Sequence, residues 1–302
     1  MKTALLSLCL LCLLSSMQAN SYLSYYQLCH QGSKAHYFEQ YEEGLQLFQE
    51  AFASVPFAHA EYLRKAAGCA SQTDRPKLAY QYIKQSILQG SKEQFWKETE
   101  FETFRGSPSF AQLKDSLDDF KAQFQANTNQ AYIALIDSLY YVDQRIIRKN
   151  RTVKGKYQID KSKLPEDLYD LDASLFATLL SLIDQYGYPS ERNVGLQAYR
   201  KADIIVHHNL RLTENESHTP LFEQALFAGE YSPISYALMM DQRNVWFQQV
   251  EPYFYYSKAI PEDMPAERIA EIERRRKDYG VPPIEAISVT KHRKFTRTVR
   301  LW

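Results

Sequence analysis

Three polar side chains fall inside helical stripes that are otherwise apolar, and each must find a partner before its stripe can be buried. Asp143 falls among Ile133, Ile136, Tyr140 and Ile147; Asp241 among Ile234, Leu238 and Val245; His208 among Ile204, Ile205 and Leu212. Spacings of three and four put each group on the helix face that turns to a core. A carboxylate or imidazole taken out of water is costly unless it is paired or hydrogen-bonded. The simplest relief is one shared cluster joining three helices. His208 would donate to one carboxylate, and Arg145, Arg148 or Arg243 would neutralise the other. The constraint points to a mainly α fold with a polar centre in its C-terminal half.

The first residues read as a secretory signal. Lys2 supplies the positive start, Ala4 to Leu14 an apolar run too short to span a bilayer comfortably, and Ser15, Ser16 and Ala19 the small residues before a cut. Residues 1–19 are therefore expected to be removed, placing the chain in the periplasm or cell envelope of a bacterium. No later segment approaches a membrane span. The charge is balanced, with 36 Lys and Arg against 36 Asp and Glu, so the overall balance calls for no nucleic acid. Beyond the signal only Cys29 and Cys69 remain, and in an exported chain they are either bridged or two ordinary buried thiols.

Residues 20–128 read as helical hairpins. Leu28, Gly32, Gly44, Phe48, Ala51 and Pro56 recur at the spacing of two antiparallel helices whose glycines allow close approach. A second copy follows with Leu63, Ala67, Ala79, Ile83 and Ser86, a turn at Thr73-Asp74-Arg75-Pro76, and Gly90 as a stop. Both copies resemble tetratricopeptide repeats. The resemblance implies a concave face of the stacked helix pairs that takes a protein or peptide partner. Helices between Gln94 and Phe124 would cap the stack.

Residues 129–302 read as a second helical domain. Helices are expected at Gln130–Arg148, Leu171–Tyr186, Val194–Leu212, Pro220–Ala228, from Pro233 through Asp241, and at Pro265–Tyr279. Asn150–Pro165 reads as a loop, Gln249–Tyr256 as an aromatic extended stretch, and the residues after Ile284 as a short extended tail. Arg274 to Lys277 read as a solvated basic face, or as a contact for an anionic polymer. Tyr253 to Tyr256 pack a core or stack on a ligand.

The order of landmarks in this half resembles the bacterial domain of unknown function 6624 family. They run Asp143-Gln144 with Arg145 or Arg148, Gly187-Tyr188-Pro189, Val194-Gly195, His207-His208, Gly229-Glu230, Ala237 to Arg243, then Arg274-Arg275-Arg276 through Gly280-Val281-Pro282-Pro283. Several places depart from the family pattern, and the Arg after Asp143-Gln144 and the Arg after Asp241 each stand one place out of register. Gln242 stands where an Arg is usual, and Gln248 to Tyr255 lack the family's Gly-Thr. The resemblance implies no reaction.

Two functional classes follow. One is an envelope binding or interaction protein working through the helical pairs. The other is a hydrolase-type enzyme using His208 with Asp143 or Asp241, with Gln144, Arg145, His207 and Arg243 as ligand contacts. His208 as an ordinary hydrogen-bonded core residue is the plain alternative. Adjacent histidines on a helix diverge by about 100°, no H-x-x-x-H spacing occurs, and no metal or cofactor is expected. There is no nucleophile elbow, phosphate loop or dinucleotide fingerprint.

Overall fold

The computed structural model describes residues 21–154, 166–209, 218–246, 250–256 and 260–284. The expected signal, residues 155–165 of the expected loop Asn150–Pro165, and residues 285–302 of the expected tail lie outside them. The described residues are helical, with no strand among them. Helix α1 covers 21–37, followed by α2 (Tyr41–Ala53), α3 (Ala60–Gln72) and α4 (Pro76–Leu88). Two 3-10 turns, Glu93–Lys97 and Thr99–Phe101, lead into α5 (Glu102–Arg105), α6 (Pro108–Asp115) and α7 (Leu117–Asn127). The C-terminal half holds α8 (Gln130–Lys154), α9 (Glu166–Tyr186), α10 (Glu191–Asn209), α11 (Thr219–Phe227), α12 (Pro233–Trp246) and α13 (Ala266–Asp278).

Small side chains decide which helix is central in the first half. In α3, Ala66, Ala67, Gly68, Cys69, Ala70 and Ser71 are consecutive and all buried, so neighbours pack on every side of it. Gly44 marks the tightest approach. A Cβ there would stand 3.1 Å from Cys69 Sγ and 3.2 Å from the Gly32 carbonyl oxygen. Phe48 fills the same seam, its ring 3.1 Å from where a Gly32 Cβ would lie. Cys29 and Cys69 are free, buried thiols. Burial pushes Cys69 up to about 12.

Each half has its own apolar core. One gathers Tyr22, Tyr25, Phe48, Leu63, Ile83 and Phe101; the other gathers Tyr132, Ile136, Leu179, Ile205, Phe222, Tyr236 and Phe254. The halves meet along a polar seam. The N-terminus of α3 has no side-chain cap of its own. Glu191, at the start of α10, supplies one: its Oε2 accepts from the Ala60 amide at 2.9 Å, where the helix dipole favours an anion. The Leu196 amide donates to the Gln89 carbonyl at 2.8 Å. Helix α1 contributes the rest. The Tyr26 hydroxyl lies 3.0 Å from His59 Nε2 and 3.3 Å from the Tyr231 carbonyl, and His30 Nε2 donates to the Gly280 carbonyl at 3.0 Å. Gly229 has φ +72 and no room for a Cβ, which would fall 2.3 Å from the Tyr22 ring. One side of α1 is therefore covered by the chain's own C-terminal half.

Several boundaries differ from the sequence reading. Helix α8 continues to Lys154, through residues expected to begin a loop. Helix α10 bends at Gly195, which leaves helical geometry at φ 75. Residues 250–256 are irregular rather than extended, with Tyr255 at φ 50. The basic stretch of α13 is solvated only in part: Arg274 and Lys277 are exposed, but Arg276 is 0% exposed, and Arg275 lies 4.1 Å over the Tyr253 ring and donates to the Tyr253 carbonyl. The aromatic residues of 253–256 and the Asp241 carboxylate give Arg275 and Arg276 buried partners that local composition does not reveal.

Two outcomes test this packing. Gly44→Leu should lower stability by about 1–3 kcal/mol through overpacking; a thermal midpoint equal to the parent's would mean the seam has spare room. Burial holds His30 down at about 4, against 6.5 for a free imidazole. A histidine with a lowered folded value contributes fully above the unfolded value and loses that contribution as pH falls toward the folded one. Denaturant unfolding should therefore show about 2 kcal/mol lost from this group between pH 7.5 and pH 5. His30→Gln should remove that part of the slope, and an unchanged slope would refute the assignment.

Candidate functional site

Three helices of the C-terminal half run side by side in the same direction. The pairings show it. Along α8 and α10, the Asn129 amide donates to the Asn193 carbonyl at 3.1 Å, Lys201 Nζ meets Asp137 Oδ1 at 2.6 Å, and His208 meets Asp143. Along α10 and α12, the Tyr199 hydroxyl accepts from the Ser232 amide at 3.1 Å, Ser235 Oγ donates to Asp203 Oδ2 at 2.8 Å, and Gln242 lies beside His207. The C-terminal ends of α8, α10 and α12 consequently lie together. Asp143-Gln144-Arg145 and Asp241-Gln242-Arg243, the same tripeptide twice, flank His207-His208 from the two sides.

The first tripeptide makes a histidine–carboxylate pair. His208 Nδ1 is 2.9 Å from Asp143 Oδ2 and 3.0 Å from Oδ1. The Asp143 side chain is 1% exposed and that of His208 33%. Gln144 Nε2 donates to Asp143 Oδ2 at 2.9 Å and fixes the carboxylate from the other side. An imidazole bonded through Nδ1 to a buried carboxylate is held in one orientation and one tautomer, with Nε2 as its outward nitrogen. Such a group can accept a proton from a water or hydroxyl and return it to a leaving group.

The second tripeptide behaves differently. Asp241 is fully buried, yet its carboxylate accepts from the backbone amides of Phe254 and Tyr256, both at 2.6 Å. It pins the segment 250–256 instead of meeting His208. The expectation of a single Asp143–His208–Asp241 cluster is corrected accordingly. Arg243 was expected to neutralise a carboxylate, but its Nη1 donates to Thr219 Oγ1 at 2.8 Å. Arg145 is exposed. The side chain of Arg148 lies outside the described residues, as does Leu212.

Sequence reasoning missed Asp203. It stands one helical turn before His207, the spacing at which an Asp and a His on one helix meet, and His207 Nε2 is 3.4 Å from Asp203 Oδ1. Burial disfavours charge on the His207 ring, but the attraction of Asp203 and the contacts with Asp203 and Gln242 outweigh it, so its proton affinity is raised. Among the described residues no three His, Cys, Asp or Glu side chains form a set for a metal ion. A cavity of about 480 Å³ opens at Glu39 to Glu43, Gln72 and Thr73, in the first half of the chain. It is an open notch rich in carboxylates. The buried Asp143 carboxylate beside a part-exposed imidazole is the better mark of chemistry, because that pairing carries an energetic cost an open notch does not.

No protein-family model matches the chain, and neither the curated proteins nor the solved structures contain a match.

The separate fates of the two carboxylates are measurable. Asp143→Ala should destabilise by roughly 2–4 kcal/mol, since Gln144 and His208 lose their acceptor. A double-mutant cycle of Asp143→Ala with His208→Ala should give a coupling above about 0.5 kcal/mol, while the cycle with Asp241→Ala should be additive within that margin. Equal coupling in both cycles would restore the single cluster.

Proposed function

We propose that the chain is an exported protein of the bacterial cell envelope whose working centre is His208, acting as the acid–base group of a hydrolase-type reaction. The observation that carries this is the 2.9 Å contact between the buried Asp143 carboxylate and Nδ1 of a part-exposed imidazole. Lys2 and the leucine-rich run after it support export. The ordered landmarks from Asp143 to Pro283 support placing the C-terminal half with the family of unknown function that it resembles.

In this reading Nε2 takes the proton of a water molecule as its oxygen attacks an electrophilic carbon or phosphorus. The charge that develops on the ring is stabilised by Asp143, and the same proton then passes to the leaving group. The helical pairs of the first half are the mount for this centre. One side of α1 is covered by contacts such as Tyr26 to Tyr231 and His30 to Gly280. The other reading, an envelope interaction protein, keeps a protein or peptide partner but needs a surface other than that side of α1.

The test is turnover of chromogenic ester, amide, phosphoester and glycoside substrates by the purified chain. His208→Gln should lose about 10²–10⁴ of the rate on whichever substrate is cleaved, and Asp143→Asn should lose a part of it. A wild-type chain inert across the panel, or a His208→Gln variant as active as the parent, would overturn the enzymatic reading.

A further inference from the structure

The two Asp-Gln-Arg sequences orient their carboxylates by different means. Asp241 accepts backbone amides, those of Phe254 and Tyr256, from an irregular segment whose amides are available. Asp143 lies inside α8, where the neighbouring amides are committed to carbonyls four residues back along the helix. Its side chain is 1% exposed, so water is a poor source of donors as well. The imidazole alone does not orient this carboxylate. His208 Nδ1 stands 2.9 Å from Oδ2 and 3.0 Å from Oδ1, one N–H shared between two oxygens. The terminal torsion of an aspartate is broad and two-fold, so a shared proton leaves the carboxylate free to turn. Gln144 removes that freedom, because its Nε2 donates to Oδ2 at 2.9 Å.

The neutrality of this donor matters. A guanidinium on Asp143 would cancel the charge with which the carboxylate stabilises an imidazolium, whereas an amide orients the carboxylate and leaves its charge in place. Arg145, the next residue along the chain, is exposed, and the glutamine takes the carboxylate. We propose that Gln144 is a positioning residue: its amide fixes the plane of Asp143 and, through it, the orientation and tautomer of His208, so that Nε2 is the nitrogen left for proton transfer. The proposal rests on the reading of His208 as the working group. In this role Gln144 acts through Asp143 and not on a ligand.

Histidine nitrogen spectra of the full chain decide the matter without reference to turnover. With the ring neutral, wild-type His208 should carry its proton on Nδ1 and show a slowly exchanging Nδ1–H signal. Gln144→Met keeps the reach and helix preference of the side chain and removes the amide. In that variant the Nδ1–H signal should broaden or vanish, and a second population protonated on Nε2 should arise. Gln144→Leu also lacks the donor and serves if the methionine variant does not fold. Gln242→Met, the same change in the second tripeptide, should leave the His208 signals as they are. On a substrate that the chain cleaves, Gln144→Met should lower kcat about 10- to 100-fold with little change in KM. A single tautomer and an unchanged Nδ1–H signal in folded Gln144→Met overturn the proposal. So does an equal disturbance by Gln242→Met, which would mark a general loosening of the helices. A raised KM with kcat intact would make Gln144 a substrate contact and overturn it too. A chain inert on every substrate that still loses the Nδ1–H signal in Gln144→Met would count against the enzymatic reading and leave the positioning role standing.

Discussion

The Glu191 carboxylate at the N-terminus of α3 sets the relation between the two halves of this protein. Four amides at the start of any helix lack partners within it, and α3 has no capping side chain of its own. Glu191 reaches across from the start of α10 to the Ala60 amide, with His59 Nδ1 3.7 Å from its other oxygen. A buried anion in that place is stabilised by the helix dipole only while the two elements stay in register. Helix α10 thus begins on the seam and ends at His207 and His208. The same helix that locks the halves together carries the polar centre at its far end, so the position of the histidines follows from the seam.

Helix α10 also explains why one tripeptide serves two purposes. Asp143 and Asp241 head identical Asp-Gln-Arg sequences at the ends of helices that flank α10 on opposite sides. On the α8 side, the aspartate reaches His208 and the glutamine supports it. On the α12 side, the glutamine lies beside His207 and the aspartate turns away to the amides of residues 254 and 256. Adjacent residues on a helix point about 100° apart. Two neighbouring histidines therefore face two different helices, and each flanking helix offers whichever of its polar residues lies on the contacting face.

Much of this was legible in the chain. In the first half, Gly44 stands at a close contact between helices and the Phe48 ring lies against Gly32. Asp143 and His208 announced themselves as polar groups in apolar stripes. Asp203 did not, because it lies between Ala202 and Ile204 without interrupting a stripe; only its turn-long offset from His207 was available as a signal. Arg276 was misjudged for a related reason. A run of basic residues in a strongly polar helix reads as solvated, and nothing local shows that Tyr255, Tyr256 and Asp241 will surround one of them.

The sequence by itself determined the helical class, the approximate limits of most helices, and the fact that Asp143 and Asp241 are buried. Those properties depend on periodicity and on the cost of desolvation, which neighbours along the chain already encode. Which carboxylate meets which imidazole was decided by the tertiary structure alone. Burial tells that a charged group needs a partner, but several partners would satisfy it equally. The choice rests on the parallel alignment of α8, α10 and α12, and that alignment is held by contacts between residues far apart in the chain, from Asn129 with Asn193 to Tyr199 with Ser232.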